Sequence, residues 1–152
     1  NSLKSYRAIG AYPLEDLVHK IEMSPIDRVA EAVCLLSTLP DGMCVFHPYN
    51  TYPLDMGAII GAMNRRGYAI DPVSREEFAA AVEAMKNDPK RAEELQGILH
   101  YAGHFLNGRR MASAPNDWTT TALYRLGFRW RPAADEYLAA FLQMLEGLAV
   151  FD

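Results

Sequence analysis

The chain has 152 residues, half of them apolar and 22% charged, a composition that folds one ordinary domain around a hydrophobic core and excludes disorder as the default. Its formal net charge of −4 argues against broad binding to a phosphate backbone, which needs a basic face. No apolar run reaches the ~20 residues that span a bilayer, and the opening Asn1-Ser2-Leu3-Lys4-Ser5-Tyr6-Arg7 lacks a signal peptide's apolar stretch, so the expected setting is cytoplasmic, with neither nucleic acid nor membrane as partner.

Leu3, Tyr6 and Ile9 recur at helical spacing before Gly10 and Pro13 interrupt, which predicts a short opening helix. Leu17–Met23 reads as a short extended segment. Ser24-Pro25-Ile26-Asp27 is a helix start. Ser24 is placed to cap, Pro25 loses nothing by lacking an N–H at the first helical position, and Asp27 sets a negative charge against the unpaired N–H groups. Val29, Val33, Leu36 and Leu39 follow on one face until Pro40-Asp41-Gly42 turns the chain. Met43–His47, apolar and held between two breakers, is too short for a helix and reads as a buried strand. A helix over 53–66 comes next, with Met56, Ile59, Ile60 and Met63 as its buried stripe and Gly67 as its left-handed terminator. Gly57 and Gly61 suit close packing against a neighbour.

Tyr68–Val73 adds a brief strand, and Ser74-Arg75-Glu76-Glu77 fits the capping-box pattern. Phe78, Ala81, Val82 and Met85 carry that helix to Asn87-Asp88-Pro89. There Asp88 is placed to cap another helix, whose apolar side is Leu95, Ile98, Leu99 and Ala102. Asn107–Asn116 reads as a mobile loop. A short helix near 118–126, a Gly127 stop and an extended Phe128-Arg129-Trp130 follow. A final helix over 133–148 then places Tyr137, Phe141, Met144, Leu145 and Leu148 on one face. The sum is a mostly helical α+β fold of about seven helices and roughly two or three short strands. Such strands must pair with each other, with Leu17–Met23 or with another copy, because their backbone groups need a sheet neighbour. The sequence has no internal repeat and no low-complexity tract.

Cys34, on an apolar helical face, and Cys44, in the strand-like run, give no disulfide framework and are expected as reduced, buried thiols. A dinucleotide site needs glycines at tight spacing, so that backbone N–H groups and a helix N-terminus can approach the pyrophosphate, and no run has that arrangement. Short-chain reductases also need a tyrosine with lysine four residues later, which sets a proton donor beside the cation that lowers its pKa. None of the eight tyrosines qualifies: the fourth residue on is Gly10 after Tyr6, Asp16 after Tyr12 and Phe128 after Tyr124. Unaided hydride transfer is therefore not expected.

His100 and His104 alone have metal-ligand spacing, but no glutamate lies between them and no third ligand close by, so packing histidines are the better account and no metal is expected. Asp16, His19 and Ser24 supply the residue types of a hydrolytic triad without a nucleophile elbow. Lys4, Arg7, Arg109 and Arg110 read as solvated charge rather than a phosphate site. His47-Pro48-Tyr49-Asn50-Thr51-Tyr52 is a polar and aromatic cluster at the exit of the expected strand, where α/β proteins build ligand crevices. An ordinary strand-to-helix turn with capping residues accounts for it equally well.

Ser24–Val33, Met43–Asn50 and Thr119–Asp152, in that order and spacing, resemble the C-terminal lobe of the thioester reductase domains, extended short-chain dehydrogenases that end many nonribosomal peptide synthetases. Ser24–Val33 is similar to the family's Pro-Val-Asp-x-x-Ala-x-Ala-like signature, with Ile26 for the usual Val. Phe46–Asn50 resembles its strand ending in Asn-Pro, although here Pro48 precedes Asn50. The first two segments recur across extended dehydrogenases and sugar epimerases. The third, Leu123–Trp130 followed by Tyr137–Phe151, points to the synthetase branch and disfavours an epimerase fragment.

In that family the Rossmann-like N-terminal portion binds NADPH and carries the catalytic Thr, Tyr and Lys, while the C-terminal portion covers the substrate channel and receives the phosphopantetheine-tethered chain. The resemblance covers nearly the whole sequence and implies a single substrate-binding, carrier-facing lobe over 1–152, lacking the Rossmann cofactor domain. Its implied partners are the upstream Rossmann reductase portion and a phosphopantetheinylated carrier protein. It implies no catalytic, cofactor-binding or metal-binding residue in this chain, with NADPH bound elsewhere in the full enzyme, which releases a peptidyl or aminoacyl chain as aldehyde or alcohol. Ile26, Asp27, His47 and Asn50 match positions near the family's cleft; with Tyr49 and Tyr52 of the aromatic cluster they form the candidate substrate-binding set. The alternative is a non-catalytic helical protein-interaction module.

Overall fold

In the computed structural model, residues 2–40, 45–89, 91–99, 114–133 and 135–151 are described. They form a mostly helical α+β fold divided into two compact units. The first comprises Asn1–His19, Asp55–Met111 and Asp135–Asp152; the second comprises Lys20–Leu54 and Ala112–Ala134.

The first unit opens with α1 (Ser2–Ile9). Gly10, at φ +72°, takes the left-handed conformation that only glycine adopts without steric cost, and turns the chain into β1 (Ala11–Pro13). This strand pairs in parallel with β4 (Asp71–Val73), with Tyr12 opposite Pro72. The Asp71 N–H donates to the Gly10 carbonyl at 3.0 Å, extending the ladder by one bond. All three residues of β1 are buried, and the Tyr6 and Tyr12 rings meet edge to face at 4.7 Å between centroids.

Helix α3 (Met56–Arg65) buries Met56, Ile59, Ile60, Ala62 and Met63, the stripe its spacing predicts. The first N–H groups of a helix lack intrahelical acceptors. Here Met56 N donates to His19 O and Gly57 N to Leu17 O, both at 2.8 Å. That approach needs the glycine: a Cβ on Gly57 would lie 3.2 Å from the Leu17 carbonyl oxygen. Gly67, at φ +94°, ends the helix as expected.

Helix α4 (Arg75–Lys86) starts with the predicted capping box, Ser74 and Glu77 satisfying each other's backbone N–H groups, and buries Phe78 and Met85. A 3-10 turn (Ala92–Leu95) leads into helical residues 96–99. Ser5 Oγ donates to Glu94 O at 2.6 Å and Ser2 Oγ to Gly97 O at 2.9 Å, tying this region to α1. The last helix of the unit, α6 (Asp135–Gly147), packs against α3. Arg66 forks onto the Glu146 carboxylate, with Nε at 2.8 Å from Oε1, and the Tyr68 hydroxyl donates to the same oxygen at 3.1 Å.

The second unit is built on α2 (Ile26–Leu36) and α5 (Asp117–Arg125), which pack together. Ala32 and Leu36 of α2, Leu123 of α5, and Phe128 and Trp130 of the segment beyond it form one buried cluster, with Phe46, Leu35 and Leu39 at its edge. Gly127, at φ +85°, stops α5 as predicted. Arg28 lays its guanidinium over Phe128, 4.3 Å from the ring centroid, and donates to the Arg129 carbonyl at 2.8 Å. Strands β2 (Lys20–Ile21) and β3 (Leu54–Asp55) make the other two-stranded sheet.

Several expectations are corrected. Residues 45–47 form no strand: Val45 is 65% exposed and only Phe46 turns inward; Met43 and Cys44 lie outside the described residues. Ser24 does not cap α2, because its hydroxyl is engaged with Asn50 and Glu22. Of the expected α2 face, Val29, Leu36 and Leu39 reach the buried cluster, whereas Val33 is half exposed and its neighbour Ala32 is fully buried. In α6 Leu138 and Leu142 are buried, while Met144 and Leu148 are left outside. Cys34 is an exposed thiol rather than a buried one. The expected extended segment Leu17–Met23 shrinks to Lys20–Ile21, and β1 was not foreseen. The His100/His104 pair, Arg109, Arg110 and most of the expected 107–116 loop lie outside the described residues.

Candidate functional site

Segment 47–52 of the second unit holds four of the six predicted site residues, and its backbone is fixed from two sides. On one side is the start of α5. His47 N donates to Thr119 Oγ1 at 2.9 Å, Tyr49 Oη to Ala114 O at 2.7 Å, and Asn116 Nδ2 to Tyr49 O at 3.0 Å. On the other is the approach to α2, reached through Asn50. Asn50 N donates to Ser24 Oγ at 2.7 Å, and its Nδ2 donates to Met23 O at 3.2 Å and Arg131 O at 3.1 Å. Its Oδ1 accepts from Tyr52 N at 3.1 Å.

Asn50 is 3% exposed and uses both ends of its amide within the unit. It therefore orders three chain segments and presents no free polar atom to a ligand. Tyr49 is half-buried with its hydroxyl on the Ala114 carbonyl, and the other four predicted residues face outward. Ile26 is 81% exposed, Tyr52 is 47% exposed, and Asp27 and His47 are both exposed. No hydrogen bond joins Asp27 to His47, Tyr49, Asn50 or Tyr52 among the described residues. Asn50 is thus joined to the chain just before Ile26 and Asp27, while the side chains of those two stand apart from it in bonding.

Three buried polar atoms near these contacts in sequence have no hydrogen-bond partner among the described residues: Asn116 Oδ1, Thr120 Oγ1 and Trp130 Nε1. Asn116 occupies the N-cap position of α5 without capping it, because its amide is turned to the Tyr49 carbonyl. Sequence reasoning overlooked Asn116 and Thr119 as supports. The Asn-Asp step before a helix signals a cap, which is the role Asn116 does not fill.

A cavity of about 240 Å³ in the first unit is lined by Ile9, Ala81, Ala84, Met85, Asp88 and Arg91, none of them a predicted site residue. It falls short of the roughly 300–1,000 Å³ of ligand pockets. No group of three or more His, Cys, Asp or Glu among the described residues is arranged to hold a metal ion. No helix among them is long and apolar enough to cross a membrane.

The described residues do not fit a dinucleotide. Each sheet has two strands, far short of the sheet that cradles a dinucleotide, and helix-start N–H groups after β3 and β4 are engaged within the chain. At β3 to α3 the Met56 and Gly57 donors are taken by the carbonyls of His19 and Leu17. At β4 to α4 the capping box takes the N–H groups of Ser74 and Glu77. No hydride-transfer step is assigned to these residues.

No family model and no curated protein matches the sequence. Among solved structures the chain is similar to a thiolation-reductase di-domain from an archaeal non-ribosomal peptide synthetase, with 29% identity and a TM-score of 0.80 over 99% of this chain and 30% of that one. It is also similar to the terminal R domain from the myxalamid PKS-NRPS biosynthetic pathway, with 18% identity and a TM-score of 0.76 over 98% of this chain and 38% of that one. The second likeness is one of fold. Together they match this chain to a C-terminal portion of a thioester reductase with a short-chain dehydrogenase-like fold.

Proposed function

We propose that this chain, which has the fold of the C-terminal portion of a thioester reductase, is the substrate-binding and carrier-facing part of such an enzyme. The whole enzyme would use NADPH, bound by a Rossmann portion outside these 152 residues, to release a peptidyl or aminoacyl chain from its phosphopantetheine thioester as an aldehyde or alcohol. The observation that carries the reading is the similarity over 99% of this chain to a protein that joins a thiolation domain to a reductase. It is supported by the absence from the sequence of both a glycine-rich cofactor loop and a Tyr-x-x-x-Lys pair. Within this chain, segment 47–52 would form a pocket rim: Asn50 holds the backbone, leaving His47, Tyr52 and the nearby Ile26 and Asp27 with solvent-facing side chains.

Two measurements test this. Calorimetric titration of the chain with NADPH should give no saturable binding, and micromolar binding would contradict the proposal. Grafted in place of the matching part of the archaeal reductase, the chain should support NADPH oxidation dependent on a carrier-bound thioester. A folded graft that binds NADPH yet never turns over would count against it.

A further inference from the structure

Helix α5 begins without the cap that its sequence provides. Asn116, at its N-cap position, has φ −119° and ψ −5°, whereas a capping residue sits in the extended region, as Ser74 does before α4 at ψ 157°. No side chain caps α5. At α3 the side chain of Asp55 likewise makes no cap, but there the carbonyls of His19 and Leu17 take the first N–H groups. Among the described residues no backbone carbonyl does the same at Asp117, Trp118 or Thr119.

Asn116 instead holds Tyr49. Its Nδ2 donates to the Tyr49 carbonyl at 3.0 Å, and the Tyr49 hydroxyl donates to Ala114 O at 2.7 Å. This grip leaves polar groups unsatisfied. Asn116 is 7% exposed and its Oδ1 is buried with no partner among the described residues, as is Thr120 Oγ1 one helical turn on. Turning ψ of Asn116 to the extended region, with its amide swung back over α5, would give Oδ1 a helix-start N–H to accept from and would break the bond to Tyr49. The same turn moves Ala114, which precedes the rotated bond, relative to α5, so both bonds of Tyr49 part together. His47 and Asn50 on either side would stay, because they are fixed to Thr119 inside α5 and to Met23, Ser24 and Arg131.

We propose that Asn116 is a two-position latch: in one position it clasps Tyr49 against the start of α5, and in the other it caps that helix and frees Tyr49 to turn toward the rim formed by segment 47–52. Each position keeps one side-chain hydrogen bond of Asn116 and gives up the other, so the two lie close in free energy and a ligand that favours the free Tyr49 shifts the balance. That the free Tyr49 meets an acyl chain rests on the substrate-binding reading above; the latch itself is a property of this chain alone.

Two variants separate the positions. Asn116→Asp cannot donate to the Tyr49 carbonyl and is a strong cap whose charge suits a helix N-terminus, so it selects the capped position, whereas Asn116→Ala can neither clasp nor cap. Nitration of Tyr49 by tetranitromethane, resolved by peptide mass spectrometry, reads its release, and the urea midpoint reads overall stability. Asn116→Asp should raise the Tyr49 nitration rate at least about threefold while the midpoint holds or rises. Asn116→Ala should raise the rate and lower the midpoint. A nitration rate for Asn116→Asp equal to wild type overturns the proposal, as does a midpoint that falls as far as that of Asn116→Ala, since Asn116 would then be a fixed anchor. In the graft into the archaeal reductase, Asn116→Asp should lower KM for the carrier-bound thioester more than it changes kcat. Faster nitration with an unchanged KM overturns the role at the rim. A wild-type graft that never turns over counts against the reductase reading and leaves the latch to the nitration result.

Discussion

Asn50 shows how a residue chosen for a site can be spent on building one. Its side-chain amide joins Met23, Arg131 and Tyr52, and its N–H reaches Ser24. Asn50→Ala leaves the part-buried carbonyls of Met23 and Arg131 and the Tyr52 N–H without their amide partner and should cost about 1–3 kcal/mol, measured by urea denaturation. Asn50→Asp replaces a donor with a carboxylate facing two carbonyl oxygens and should cost at least as much. A residue that only touched substrate would leave the urea midpoint where it was. The sequence marked Asn50 because polar and aromatic residues cluster at 47–52, but spacing cannot tell whether an amide faces a ligand or closes a loop. Apart from Tyr52, two positions on, its partners lie 26 to 81 positions away, beyond any local pattern.

At the scale of elements, helices with strong local signals came through. The Ser74/Glu77 box, the Met56–Met63 stripe and the glycines at 67 and 127 each act within a few residues, so sequence alone reveals them. Faces set by distant partners came through only in part. In α2 Ala32 joins Phe128 and Trp130 in the buried cluster, while Val33 is left outside. Val33→Glu should therefore change folding free energy by less than about 0.5 kcal/mol, whereas Leu36→Ala should cost about 2–5 kcal/mol. Thermal melts of the two variants separate this arrangement from one in which Val33 is core. Strand β1 was hidden for a related reason: three residues ending in proline become a strand only because β4, about sixty positions later, supplies the ladder.

For the whole molecule, stability should fall at both ends of the pH scale for different reasons. The Arg66 fork, with help from the Tyr68 hydroxyl, holds the Glu146 carboxyl below the usual range, and Ser74 does the same for Glu77. Below an ordinary glutamate value of ~4.3 the unfolded chain takes up protons that the folded chain still refuses. These contributions are present above that pH and lost as it drops through the folded values, so Glu146→Gln should flatten the acid limb of a stability profile. In the other direction, burial, reinforced by Asp16, pushes the Tyr6 phenol up to about 12, and burial raises Tyr12 as well. The unfolded chain releases those protons from ~10 upward, so stability present below that pH erodes as it rises toward 12. Tyr6→Phe should remove part of the loss, read from denaturation midpoints between those two values.

The exposed sulfur of Cys34 offers one practical handle. It projects from α2, the helix that packs beside α5. With Cys44 exchanged for serine, a maleimide fluorophore attached there would label α2 on the side turned away from the buried cluster it shares with α5. Arrival of a quencher-tagged thiolation domain could then be timed in solution, one encounter at a time.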